Sequence, residues 1–121
     1  MKLVLSALAV AIASVSNVAA ANTLHVANNG LDFPGCGTET SPCRSISAAI
    51  GAAVDDDTIL VRPGRYGDID DDGALGGAGE ETGNSNGTLY INKRVKVIST
   101  AGAGATVISG VSSITIVGYL D

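Results

Sequence analysis

The sequence predicts an all-β solenoid, in which short strands wind into coils and a short helix closes the first coil. Three observations predict it. Short runs rich in Val and Ile recur at close spacing. Gly-containing bends join them, in place of the Asn-Gly or Asp-Gly turns typical of hairpins. One stretch has the apolar period of a helix. Sandwiches and barrels share the first feature, but the missing hairpin signals favour a coil.

The first 21 residues have the layout of a secretory signal peptide. Lys2 supplies the positive start, residues 3–15 are an apolar run, and small residues end the segment at Ala19, Ala20 and Ala21. The run is shorter than the roughly 20 residues that span a bilayer. We therefore expect residues 1–21 to be removed and residues 22–121 to form one small domain. That domain is expected to be secreted, periplasmic or extracellular, with no membrane attachment after cleavage.

Composition argues against several classes of partner. The formal net charge is −5 and no basic cluster is present, which argues against nucleic acid and anionic lipid surfaces. The chain has three tyrosines, one phenylalanine and no tryptophan. That supply is thin for the aromatic walls on which ligand pockets usually depend.

Two cysteines, Cys36 and Cys43, lie seven positions apart in a chain with an export signal. An even count in an oxidising compartment favours a disulfide. A metal site is the alternative, but His25 is the single histidine and two thiols do not complete a tetrahedral site. We expect the disulfide to staple the irregular segment 31–42.

The first elements are a strand over residues 23–27 and a helix that begins after Ser45. Ser45 is a plausible N-cap. The apolar stripe that follows has the spacing of a surface helix that faces a core, and consists of Ile46, Ala49, Ile50, Ala53 and Val54. Three acids at 55–57 end the helix. Because acids oppose the dipole at a helix C-terminus, we expect them to accept local backbone hydrogen bonds instead.

The remaining elements are predicted strands and one acidic insertion. Residues 58–61 form a strand, and Pro63-Gly64 then suits positions i+1 and i+2 of a type II turn. Residues 68–87 are acidic and rich in glycine, and we expect an insertion that buries little. Four further strands follow, at residues 89–91, 95–99, 105–110 and 113–118.

Several of these segments resemble the N-terminal part of right-handed parallel β-helix proteins of the pectin lyase-like superfamily. The resemblance is carried by TLHVANNG, SPCRSISAAIGAA, DTILVRPGRYGD, VKVIST and ATVISG. A family segment of the type Gly-Asp-Thr-Ile-x-Val-x-Pro-Gly-x-Tyr is matched by Asp57, Thr58, Ile59, Val61, Pro63, Gly64 and Tyr66. Asp56 departs from it, because the family usually has a turn glycine there.

The resemblance implies a right-handed parallel β-helix whose N-terminal coils are closed by a capping helix. A solenoid normally needs about three repeats and a terminal cap. The strands here account for two to three coils, and the last residues offer no polar cap. We therefore expect either the truncated front of a longer protein or self-association through the last strand.

An acidic segment is the best candidate for a binding site. Asp68, Asp70 and Asp72 stand at positions 1, 3 and 5 of a calcium loop, with Gly73 at position 6. Position 12 is glycine, and Glu80 comes one residue late. These four acids are the predicted calcium ligands, in an EF-like loop inserted between strands. A solvated acidic insertion without a metal is the alternative, and the sequence leaves it open.

The sequence shows no catalytic constellation, so whether the protein is an enzyme stays open. The favoured function is a secreted β-helix segment with a structural role, or one that binds a polysaccharide or cell-surface component. The alternative is the N-terminal fragment of a polysaccharide lyase or glycoside hydrolase of the pectin lyase-like type, with the chemistry in later coils. A second alternative makes calcium binding the main role.

Overall fold

The computed structural model describes residues 20–85 and 87–110, and the backbone of residues 114–116. Almost all of the predicted signal peptide lies outside these residues, as do both ends of the predicted strand 113–118. Strand residues outnumber helical ones. The described elements are one helix, α1 (Ile46–Ala52), and the strands β1 (Thr23–Val26), β2 (Thr58–Val61), β3 (Gly64–Gly67), β4 (Leu89–Ile91), β5 (Lys96–Ser99), β6 (Thr106–Ser109) and β7 (Ile114–Ile116).

The strands form three small parallel sheets. The first has the order β1-β2-β5, the second pairs β3 with β6, and the third pairs β4 with β7. Along the chain, β2, β3 and β4 enter three different sheets, and β5, β6 and β7 return to the same sheets in the same order. Hairpins join none of these strands, as the turn residues predicted, and the described residues close no barrel.

The strand register stacks side chains from equivalent positions of neighbouring strands in ranks. In the first sheet the ranks that face the core are Leu24–Ile59–Val97 and Val26–Val61–Ser99. Ile59 and Val61 are almost fully buried, and burial of each aliphatic side chain contributes about 1.5–3 kcal/mol. Val97 remains 36% exposed because β5 is the edge strand of this sheet among the described residues.

Helix α1 begins where the sequence predicted. The Ser45 hydroxyl accepts a hydrogen bond from the Ala48 amide at 3.1 Å, which satisfies one of the unpaired donors of the first turn. Four of the five predicted stripe residues are buried, but Val54 is 53% exposed. The prediction for Val54 is wrong because the chain becomes extended at Ala53 and leaves the helical path before Val54.

The Cys36–Cys43 disulfide is present, and the loop that it closes covers the outer edge of β1. The His25 amide donates to the Gly37 carbonyl at 2.8 Å, and the Cys43 amide donates to the His25 carbonyl at 2.9 Å. Ala27 donates to the Cys43 carbonyl at 2.9 Å. The loop therefore occupies backbone groups that would otherwise form an open strand edge.

The acidic turn after α1 is stabilised by its own carboxylates. Asp57 accepts hydrogen bonds from the Val54 amide at 2.9 Å and the Asn22 amide at 2.8 Å, which confirms the expected side chain to backbone bonds. Asp56 adopts the left-handed conformation, with φ of 75°, which glycine adopts more readily than aspartate. Its carboxylate pairs with the Arg94 guanidinium at 2.7 and 2.8 Å, and this pair lowers the pKa of Asp56.

The segment at Pro63-Gly64 is a corner between two strands rather than a type II turn. Gly64 has φ of 150° and is already the first residue of β3, a strand that the sequence analysis missed. A Cβ atom at Gly64 would lie 1.6 Å from the Asn28 side-chain nitrogen. Glycine is required there because the corner brings its backbone against Asn28.

No helix in the described part of the chain is long and apolar enough to cross a bilayer.

Replacing Lys93 by methionine is expected to lower the free energy of unfolding by about 1–2 kcal/mol. The Lys93 ammonium donates to the carbonyls of Ile50, Gly51 and Ala53 at 2.7–3.1 Å, and so caps the C-terminus of α1. Urea denaturation measures the change. Lys96→Met removes an exposed lysine from β5 and serves as the control. Equal stability of the two variants would contradict the capping role.

Candidate metal centre

The acidic insertion is a closed loop between β3 and β4. Its two ends meet where the Glu81 amide donates to the Gly67 carbonyl at 3.3 Å. The Glu80 carboxylate closes it further, because it accepts from the Ile69 amide at 3.1 Å and the Gly77 amide at 2.9 Å. We call residues 68–80 the acidic loop. The expectation that this insertion buries little is confirmed for most of residues 68–80, which are exposed; Asp68 and Glu80 are the exceptions, because their carboxylates turn inward and accept from backbone donors.

The loop brings three carboxylates together. One oxygen each from Asp68, Asp70 and Glu80 lies within 4.8 Å of the others. Asp68 and Glu80 are buried, whereas Asp70 is exposed. Like charges so close repel one another unless a proton or a cation lies among them, and three oxygen ligands at this spacing suit a hard divalent cation.

One oxygen of Asp68 is buried without a hydrogen-bond partner among the described residues. Its Oδ2 accepts from the Gly73 amide at 3.0 Å, but its Oδ1 has no donor. The residue is 6% exposed, so water has little access to it. A buried carboxylate oxygen with no partner is costly, and a bound cation is the group that would satisfy it within this triad.

Glu80 is held in its ionised form. The hydrogen bond from the Gly77 amide contributes most to lowering the pKa of Glu80 below its ordinary value. Further hydrogen bonds from Ile69 and Asp70 lower the pKa of Glu80 too, against the opposing effect of lost hydration. The oxygens of Glu80 are therefore charged acceptors at neutral pH.

Asp70 has the opposite tendency. The Asp72 amide donates to Asp70 Oδ1 at 3.1 Å, which by itself lowers the pKa of Asp70. Lost hydration and the negative charges of Asp72, Glu80 and Asp68 outweigh that bond, so the pKa of Asp70 is raised. The triad thus accumulates more negative charge than its surroundings compensate.

Two other acids of the loop have different partners. Asp72, a predicted ligand, is not one of the three grouped carboxylates, and its Oδ1 accepts from the Ala74 amide at 2.8 Å. Asp71 forms an ion pair with Arg65 and adopts the left-handed conformation. The grouped acids therefore stand at positions 1, 3 and 13 of the loop, because the chain returns to Asp68 one residue later than in an EF-hand loop.

A second group of metal-ligating types is occupied by other bonds. Asp32 lies near Cys36 and Cys43, but both sulfurs belong to the disulfide. Asp32 Oδ1 accepts from the amides of Arg44 and Ser45 at 2.7 and 3.0 Å. These residues brace the start of α1 and leave no thiolate for a metal.

Sequence reasoning missed Glu81, which follows the acidic loop and is 1% exposed. Its Oε1 accepts from the Ile46 amide at 2.8 Å, and its Oε2 accepts from the Ser47 amide at 2.6 Å and from the Ser47 hydroxyl. Burial raises the pKa of Glu81, while the Ser47 and Ile46 donors lower it in part. A capping box has its glutamate three residues after the N-cap; here the glutamate lies 35 residues after Ile46, whose amide it accepts from, so no local spacing reveals it.

A small pocket is lined by α1, by the chain that follows Glu81, and by residues in and just after β4. Its volume is about 200 Å³. The residues that line it carry hydroxyl and amide groups and one aromatic ring but no carboxylate or basic group: Ser47, Ile50, Gly51, Thr82, Gly83, Asn84, Tyr90 and Asn92. The pocket therefore suits a small neutral molecule with several hydrogen-bonding groups.

No family model, curated protein or solved structure was found to match this chain.

Replacing Glu81 by glutamine is expected to lower the free energy of unfolding by about 1–3 kcal/mol. The amide nitrogen of glutamine cannot accept the two bonds that Ser47 donates. Urea denaturation at neutral pH measures the loss. Glu39→Gln makes the same chemical change at an exposed position and is expected to leave stability unaltered. A Glu81 variant as stable as this control would remove Glu81 from the helix cap.

Proposed function

We propose that this chain forms the first coils of a right-handed parallel β-helix, closed by helix α1 as a lid. We also propose that its acidic loop binds calcium. The ordered return of the strands to three parallel sheets supports the coil. Parallel crossovers are right-handed in about 98% of known cases, which supports the hand. The resemblance noted in the sequence supports the same architecture.

The observation that carries the calcium proposal is the buried Asp68 Oδ1 atom, which has no partner among the described residues and belongs to a group of three carboxylates. Calcium binds six to eight oxygen ligands in flexible geometry, and loops rich in Asp and Gly supply them. The triad offers oxygen ligands alone, whereas zinc prefers nitrogen and sulfur. Backbone carbonyls and water would complete the shell, with Asp68, Asp70 and Glu80 as the charged ligands.

The role that we propose is structural. A bound calcium ion would neutralise the triad and fix the acidic loop against the coil. Extracellular calcium sites bind at roughly 10⁻⁴–10⁻³ M, which suits a secreted or cell-surface protein. The disulfide supports the same location, because disulfides persist in oxidising compartments.

Calorimetric titration with calcium chloride at physiological ionic strength tests the site. We expect saturable binding to the wild-type protein, and a loss of about ten-fold or more in affinity for Asp68→Asn, since a charged ligand is removed. Asp71→Asn is the matched control, because it makes the same change in the same loop at a carboxylate paired with Arg65. Absence of heat at millimolar calcium would falsify the site, and magnesium in place of calcium tests its selectivity.

The neutral pocket favours a second function, the binding of a saccharide unit. Its hydroxyl and amide groups, with the half-buried Tyr90 ring, are the groups that recognise sugar hydroxyls. This function is compatible with the polysaccharide or cell-surface partner expected from the sequence.

Titration with neutral oligosaccharides, followed by NMR, tests this second function. We expect amide shifts at Thr82 and Gly83 that saturate with the sugar, and a loss of these shifts in Asn92→Ala. Asn29→Ala, an exposed change in a turn far along the sequence, is the control. Charged oligogalacturonate should bind more weakly because the acidic chain repels it. Shifts that persist in Asn92→Ala would exclude the pocket as the site.

A further inference from the structure

We propose that cation binding in the acidic loop fastens helix α1 to the coil, through the adjacent residues Glu80 and Glu81. The inference rests on the proposed calcium site and adds a regulation to it. The helix lid would be held more tightly when the site is occupied than when it is empty.

Glu80 and Glu81 are neighbours in the chain, but their carboxylates bond to different elements. The Glu80 carboxylate belongs to the triad and accepts from loop amides. The Glu81 carboxylate accepts from the first-turn amides of α1. A single planar peptide group joins them, so a displacement of Glu80 moves the backbone from which Glu81 reaches the helix.

The end of the acidic loop contacts the lid at a second point. Gly79, with φ of 80°, lies against Arg44, the residue before the N-cap, and a Cβ atom at Gly79 would be 3.1 Å from Arg44 Nε. The Arg44 guanidinium in turn lies over the Tyr66 ring at 5.8 Å. The acidic loop therefore contacts the residue before the N-cap, and the residue that follows the loop, Glu81, contacts the first turn of α1.

A bound cation would favour the loop conformation in which the three carboxylates lie together. Without it, Asp68, Asp70 and Glu80 repel one another, and loop conformations that separate them are favoured. With it, the three carboxylates are drawn to one point and Glu80 is fixed. A ligand that binds better to the conformation in which Glu81 caps α1 shifts the protein towards that conformation.

Coupling of this kind is reciprocal. If calcium strengthens the Glu81 cap, then loss of cap bonds must weaken calcium binding by a comparable factor. Ser47 gives the means to test this without touching the site, because Ser47→Ala removes one donor to Glu81 and leaves every charge in place.

The experiment compares calcium titrations of the wild type, Ser47→Ala and Lys93→Met, with amide hydrogen exchange at Ile46 and Ser47. We expect Ser47→Ala to weaken calcium binding by about three-fold or more. Lys93→Met loosens the far end of the same helix and should leave affinity within about two-fold, as for independent sites. Exchange at Ile46 and Ser47 should slow when calcium is added.

The two failures are distinguishable. If the wild type binds calcium, but Ser47→Ala binds equally well and exchange at Ile46 and Ser47 does not change, the coupling is overturned and the calcium site stands. If the wild type binds no calcium, the proposed function fails and the coupling fails with it. Circular dichroism verifies that each variant is folded, and Glu81→Gln provides a second variant at the other end of the same hydrogen bond.

Discussion

The need to close the first strand edge is the constraint on which most of this structure depends. A parallel strand exposes a full row of backbone donors and acceptors on its outer side. In β1 that row is paired with the disulfide loop. Helix α1 then packs its buried side chains against β1, β2 and β4. The disulfide loop and α1 thereby share one task, which is to cover the first sheet at β1.

Several acidic residues in this part of the protein are buried, and most of them stabilise it through hydrogen bonds. Asp57, Asp68, Glu80 and Glu81 are all buried. Asp57 and Glu81 compensate for burial by accepting several backbone hydrogen bonds, an arrangement that offsets the cost of lost hydration. Asp68 does so with one oxygen only. This contrast sets Asp68 apart from the other buried acids, whose carboxylate oxygens all accept backbone hydrogen bonds.

Local sequence patterns predicted the elements that depend on local physics. The strands 58–61 and 89–91 and the start of α1 at Ser45 agree with the structure because alternation and capping act over a few residues. Strand β3 escaped prediction because glycines stand at both of its ends, and glycine is unfavourable in strands unless backbones approach closely. At Gly67 they do, since a Cβ atom there would lie 1.6 Å from the Ser109 carbonyl oxygen.

The residues of the candidate site show the same difference between local and long-range interactions. Spacing alone drew attention to Asp68, Asp70 and Glu80, but it also selected Asp72, whose carboxylate bonds within its own turn. The role of Glu81 at the start of α1 could not be predicted from spacing, because its partners in the helix are distant in sequence. Side chains that join distant segments leave no periodic signal, and they are the ones that decide which carboxylates remain unsatisfied.

The left-handed Asp56 has a consequence for the unfolded chain. Glycine would adopt that conformation without strain, but it would also give the unfolded protein a more flexible link between helix and strand. Aspartate restricts that link and, once folded, gains a partner in Arg94 from a strand connection far along the chain. Aspartate at this position thus accepts local backbone strain, but it narrows the unfolded ensemble and links the exit of α1 to the connection between β4 and β5.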